Sequence, residues 1–212
     1  MITTNHKVAE DLTSLLKEVR ACQLCQAQLS PRPVLQVASE AKILIIGQAP
    51  GSKVHQSGIP WDDPSGLRLR EWLSVSEQQF YDDKLFAIIP SAFCYPGRGK
   101  QGDLAPPKIC FDTWHRRLLA CLPNIELTLL VGQYAQALYL QRNKRCSLTE
   151  NVANYADFAE HALWPLPHPS PRNRFWLAKH PWFEAQVLPE LQTKLATIIS
   201  RHASLTNRDQ SD

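Results

Sequence analysis

Three short apolar runs, within residues 42–46, 85–89 and 127–131, constrain this chain more than any other feature. Each is too short for a helix and nearly continuous rather than alternating, so each reads as a strand buried on both faces. The segments around them carry helical spacing. Residues 7–20 place Val8, Leu12, Leu15, Leu16 and Val19 on one face, and residues 107–122 repeat the pattern with Pro107 at a permitted helix start. Short helices are expected at 67–73 and 132–138, a fourth strand at 162–166, and a long closing helix at 182–202. This alternation predicts an α/β fold: a single domain over residues 1–205, with a four-stranded parallel sheet flanked by helices, and a frayed tail at 206–212.

Composition narrows the class further. With 212 residues, 44% hydrophobic and 20% charged, the chain can bury a full core, which excludes disorder as its main state. No run of apolar residues is long enough to span a membrane, and the first residues lack a basic stretch leading into an apolar one, so a monomeric cytoplasmic protein is expected. A net charge of +3 does not by itself point to nucleic acid. Six cysteines in such a chain read as free thiols or metal ligands rather than disulfides.

In a sheet of this kind ligands bind beyond the carboxyl ends of the strands, so chemistry is sought in the loops that follow them. All of the eight glycines except Gly132 fall in two loops, 47–66 and 97–102. Gly47-Gln48-Ala49-Pro50-Gly51-Ser52-Lys53 looks superficially like a phosphate loop, but its glycines are too close together and Ser52 precedes Lys53, which argues against a nucleotide triphosphatase. Gly47 and Gly51 instead permit a tight turn, either a plain connection or one that brings backbone close to a ligand. Trp61 suits stacking on a planar base or a place in the core, while its neighbours Asp62, Asp63 and Ser65 also suit helix caps. His168-Pro169-Ser170-Pro171-Arg172-Asn173-Arg174 holds an imidazole between prolines, with phosphate-directed donors behind it. His115-Arg116-Arg117 reads as a solvated helix face or as phosphate contacts, and Lys179-His180 as a flank to DNA or as packing.

The succession Gly-Gln-Ala-Pro-Gly at 47–51, Gly-Ile-Pro-Trp at 58–61 and His-Pro-Ser-Pro at 168–171 before the last helix resembles the uracil-DNA glycosylase superfamily in order and spacing. The layout of Cys22-x2-Cys25, then Cys94 and Cys110, is similar to that of its iron-sulfur branch, often called family 4. The resemblance implies that DNA is the partner, and that a flipped-out base stacks on Trp61 against Gly47, Gln48, Ala49, Pro50 and Gly51. It implies that His168 donates to the base oxygen as the leaving base becomes anionic, and that Arg172 enters the space the base vacates. Ser65 and Ser170 are candidates for gripping the flanking phosphates, beside the donors of Asn173 and Arg174. Cys22, Cys25, Cys94 and Cys110 would hold an iron-sulfur cluster of the 4Fe-4S type, with zinc as the alternative; Cys121 reads as core and Cys146 as exposed.

The chain departs from the pattern at several positions. Gln48 stands where the iron-sulfur branch has Glu, and Ala49 where other branches have Asp or Asn, leaving Asp62 or Asp63 to substitute as the acid that orients water. Pro90 or Ser91 stands where the family reads uracil with Asn, and residues 95–108 contain no His for covalent capture. The implied activity is hydrolysis of the N-glycosidic bond of uracil or another deaminated base; the alternative is a non-catalytic DNA-binding protein of the same fold.

Overall fold

Ile43 and Ile45 turn to one side of the sheet and Leu44 and Ile46 to the other, all four buried, as a strand covered on both faces requires. A computed structural model describes residues 10–100, 102–140 and 146–209, with side chains to residue 204. Four strands, β1 (Ile43–Ile46), β2 (Phe86–Ile88), β3 (Leu127–Val131) and β4 (Leu163–Leu166), form one wholly parallel sheet in the order β2-β1-β3-β4. Pro165 is tolerated in β4 because that strand lies at the edge.

The helices follow the expected alternation. They are α1 (Leu12–Arg20), α2 (Ser52–Ser57), α3 (Pro64–Leu73), α4 (Glu77–Phe80), α5 (Arg116–Ala120), α6 (Gln133–Tyr139), α7 (Leu148–Ala153), α8 (Ala156–Ala159), α9 (Arg174–Lys179) and α10 (Leu188–Asp209). One core joins Leu69, Trp72 and Leu73 of α3 to Leu188, Leu191, Leu195 and Ile198 of α10 over the Ile43 face. The other joins Leu15 and Val19 of α1 to Leu118 of α5 and Ala135 of α6 over the Leu44 face. Val8 lies outside the described residues.

Three expectations are corrected. The helix expected at 107–122 holds a π-helical turn, Phe111–His115, and a second, Phe183–Val187, precedes α10. Loop 47–66 contains α2, and 97–102 opens a hairpin in which Arg98–Gly99 pairs antiparallel with Gly102–Asp103. The closing helix runs on to Asp209, through residues read as tail; the final three lie outside the described residues.

The chain leaves β1 toward β2 on one side and leaves β3 toward β4 on the other. Their diverging connections open a crevice between the carboxyl ends of β1 and β3, the usual ligand position in such sheets.

Candidate active site

A glycine follows each of the two strands that flank this crevice, and a ring fills the space beside each. A Cβ on Gly47 would lie 3.0 Å from Cζ2 of Trp61, and one on Gly132 would lie 3.4 Å from the Cβ of His168. Trp61 itself takes φ 58°, and its carbonyl oxygen would be 1.7 Å from a Cβ on Gly66, so Gly66 is what lets the Trp61 turn sit on α3. The indole and imidazole meet with centroids 5.5 Å apart and planes inclined at 35°. Two residues far apart in sequence thus face one cleft.

His168 follows β4, whose end is fixed by the Gly132 N–H donating to Leu166 O at 2.8 Å and the buried Gln136 amide donating to the same oxygen at 2.9 Å. Asn151 donates in turn to Gln136 at 3.1 Å. Beyond the strand, the Ser170 N–H donates to Nδ1 of His168 at 3.2 Å, and Asn173 Nδ2 donates to the His168 carbonyl at 2.7 Å. Burial pushes the imidazole below its ordinary pKa, with the Asp63 carboxylate pulling the other way. A neutral ring whose Nδ1 accepts must carry its proton on Nε2, so His168 offers one N–H donor.

The cleft has a volume of ≈ 550 Å³. Gln48, Ala49, Pro50 and Gly51 line one part of it; Asp63, Ser65, Ser170, Arg172 and Asn173 line the rest with Trp61 and His168. Asp63 also caps α3, accepting from Gly66 N–H at 2.8 Å. Asn173 and Ser170 are partly engaged in shaping the His168 loop, Ser170 Oγ accepting from Arg172 N–H at 3.3 Å. Three expected residues are not brought to the lining. Asp62 is exposed beside it, and Arg174 lies over the Phe175 ring at 4.8 Å. Ser91 is buried beneath it, its hydroxyl donating to Gly47 O at 2.7 Å, so it braces the first loop.

Sequence reasoning missed the hairpin. Pro96, Gly102 and Asp103 line the same cleft, and a Cβ on Gly102 would lie 2.3 Å from Nη1 of Arg172. Asp103 reaches across to the first loop, its Oδ2 3.8 Å from a Cβ on Gly51, while the Tyr95 hydroxyl donates to Oδ1 at 3.3 Å. The signal was the Gly99 to Gly102 turn followed by an acid, between Cys94 and Cys110.

His115 is corrected too. It is neither solvated nor placed to meet phosphate: it is 1% exposed, stacked on Phe93 at 5.5 Å, with Nδ1 2.6 Å from the Tyr139 hydroxyl and Nε2 3.1 Å from Pro90 O. The π turn rotates it inward. Burial lowers its pKa to about 4. Arg117 pairs with Glu10 and Glu18 instead of reaching outward to DNA. His180 packs edge-on against Trp176 and stacks on Trp182.

Cys22, Cys25, Cys94 and Cys110 line one small pocket walled by Leu24, Pro31, Pro33, Phe93 and Ile109. Burial, then the charge of Cys22, pushes Cys25 up; burial does the same to Cys94 and takes Cys110 to about 11. Backbone N–H groups of Arg32 and Phe93 face the Cys94 and Cys110 sulfurs. Four thiols in one apolar pocket, unfavourable as free thiolates, suit a group whose positive charge would hold them deprotonated. Among the described residues no three Cys, His, Asp or Glu side chains are placed to hold a metal ion. Cys121 is half-buried at the core edge and Cys146 is exposed; Lys144 and Arg145 lie outside the described residues.

No helix among the described residues is long and apolar enough to cross a membrane. The family model of the Uracil DNA glycosylase superfamily matches residues 35–192, which span both strand-end glycines, Trp61, Asp103 and the His168 loop. By that match, over well more than half its length, the chain belongs to the uracil DNA glycosylase superfamily.

Proposed function

We propose that this protein is a DNA glycosylase that hydrolyses the N-glycosidic bond of uracil or another deaminated base. The observation that carries this reading is the meeting of Trp61 and His168 over the strand-end glycines, with Nε2–H as the free donor of a neutral imidazole. A base between two rings needs about 7 Å, twice the ~3.4 Å rise of stacked bases. The 5.5 Å separation therefore favours a base lying on one face of the indole, with His168 at its edge. There Nε2–H strengthens its bond to the base oxygen as negative charge develops. Gln48 lines the same cleft and, among the described residues, its amide has no hydrogen-bond partner, so it is available to the base edge in place of an acid. Arg172 stands at the mouth to fill the space a flipped nucleotide leaves.

Four cysteines in one pocket support a 4Fe-4S cluster of the kind found in the iron-sulfur branch. Zinc, the alternative, would take the same four thiolates. Cys22, Cys25, Cys94 and Cys110 would each supply one thiolate to such a cluster. Such a cluster would tie the segment around Cys22 to the loop around Cys94, since cysteines of both line the pocket.

Ala49 favours one second reading, a DNA-binding protein that has lost the chemistry, because a methyl group cannot orient water. The test incubates purified protein with labelled oligonucleotides carrying uracil, hypoxanthine or xanthine, followed by alkali. We expect strand cleavage on at least one substrate and its loss in His168→Ala. Binding without cleavage on the whole panel would establish the second reading.

A further inference from the structure

Among its described lining residues the cleft holds two carboxylates, Asp63 and Asp103, and they are not equivalent. Asp63 is committed to the cap of α3 and stands on the Trp61–His168 side, where its charge acts on the imidazole. Asp103 comes from the Arg98–Asp103 hairpin. Its Oδ1 is held by the Tyr95 hydroxyl, while Oδ2 points toward Gly51, at the end of the loop in which Ala49 leaves no acid. Asp103 sits on a hairpin that lies against Arg172, since a Cβ on Gly102 would overlap that guanidinium. The hairpin strand is thereby tied to the loop that carries His168.

We propose that Asp103 is the catalytic carboxylate of this site, presented from the hairpin in place of an acid on the first loop. The assignment rests on the glycosylase reading above. A water molecule's oxygen forms the bond to C1′ of the deoxyribose, and the C1′–N bond breaks. Its electron pair leaves with the base, whose anion the Nε2–H of His168 stabilises. The proton shed by the water passes to Oδ2 of Asp103 and from there to the anionic base, so that water ends divided between a free base and an abasic sugar.

The test measures single-turnover release of the base on the best substrate of the panel, with affinity for an oligonucleotide carrying the uncleavable 2′-fluoro analogue measured separately. Asp103→Asn is expected to slow release about 100-fold or more, the ordinary contribution of a positioned acid or base. Affinity for the analogue should stay within about threefold. Asp103→Glu should recover part of the rate. The residue is exposed, so thermal melting of both variants should match the parent. Near-parental release by Asp103→Asn, with loss in Asp63→Asn, overturns the assignment in favour of Asp63. A loss seen equally in analogue affinity overturns it by making Asp103 a DNA-positioning group. Silence of the parent protein on every substrate overturns the glycosylase reading itself and the role of Asp103 with it, and differs from the other outcomes because the parent fails too.

Discussion

Gly47 and Gly66 are both needed by Trp61, but for different reasons. At Gly47 an added methyl would meet the tip of the indole at 3.0 Å, a contact that a small tilt of the ring relieves. At Gly66 it would strike the Trp61 carbonyl at 1.7 Å, where only movement of backbone gives relief. Overpacking of that kind costs about 1–3 kcal/mol or more. Gly66→Ala is therefore expected to lower the melting temperature clearly and to abolish the proposed excision, whereas Gly47→Ala should melt near the parent and lose that activity by displacing the Trp61 ring. Thermal melts beside single-turnover rates separate the two; equal stability losses would show that the ring at Gly47 is as immovable as the carbonyl at Gly66. The sequence showed that glycines crowd these loops but not which atoms they accommodate. Trp61 was open to a stacking or a core reading because the choice depends on His168, more than a hundred residues away.

The strands were the most legible elements, since burial on both faces leaves continuous Ile, Leu and Val that no helix period explains. Helices interrupted by π turns were read less well. The extra residue in Phe111–His115 shifts the phase of the apolar stripe and turns a histidine expected on the surface into the core. The hairpin was unread because two-residue strands carry no periodicity. His115 makes the π turn testable through pH. Its folded pKa, about 4, lies below the unfolded 6.5, so the native state favours the neutral ring and the unfolded chain takes up the proton first. Its stabilisation is complete above pH 6.5 and declines as pH falls toward 4, by on the order of 3 kcal/mol in all. Urea unfolding at about pH 7.5 and about pH 5 should show the parent losing roughly 2 kcal/mol more than His115→Gln over that interval. Parallel losses in the two proteins would mean that His115 is accessible to protons in the folded state.

At the scale of the whole molecule the cysteine pocket and the Trp61–His168 cleft share a wall, and this could not be read from spacing because it is made entirely of contacts between distant segments. Arg32 lies in the segment that follows Cys25, and its backbone N–H faces the Cys94 sulfur. Its guanidinium donates to the carbonyls of His55 and, at 2.7 Å, Gln56 at the end of α2, the helix that continues the first loop. Two residues on, Val34 donates to Phe93 O at 2.8 Å and lines the cleft. The cysteine segment thus braces the loop that carries Gln48 through one side chain. Two variants should separate the holding of the proposed cluster from this brace. If the cysteines hold the proposed cluster, Cys94→Ser is expected to lose iron, visible absorbance and thermal stability together, since it would remove a ligand and slacken the segment. Arg32→Ala should keep the absorbance, because it retains the backbone N–H and all four sulfurs. Its base release should be slower by about tenfold, the equivalent of ~1.4 kcal/mol in placing the loop. Metal analysis, the visible spectrum and single-turnover rates on the same preparations decide the matter. An Arg32→Ala protein that releases base at the parental rate would show that α2 holds its position without help from the cysteine segment.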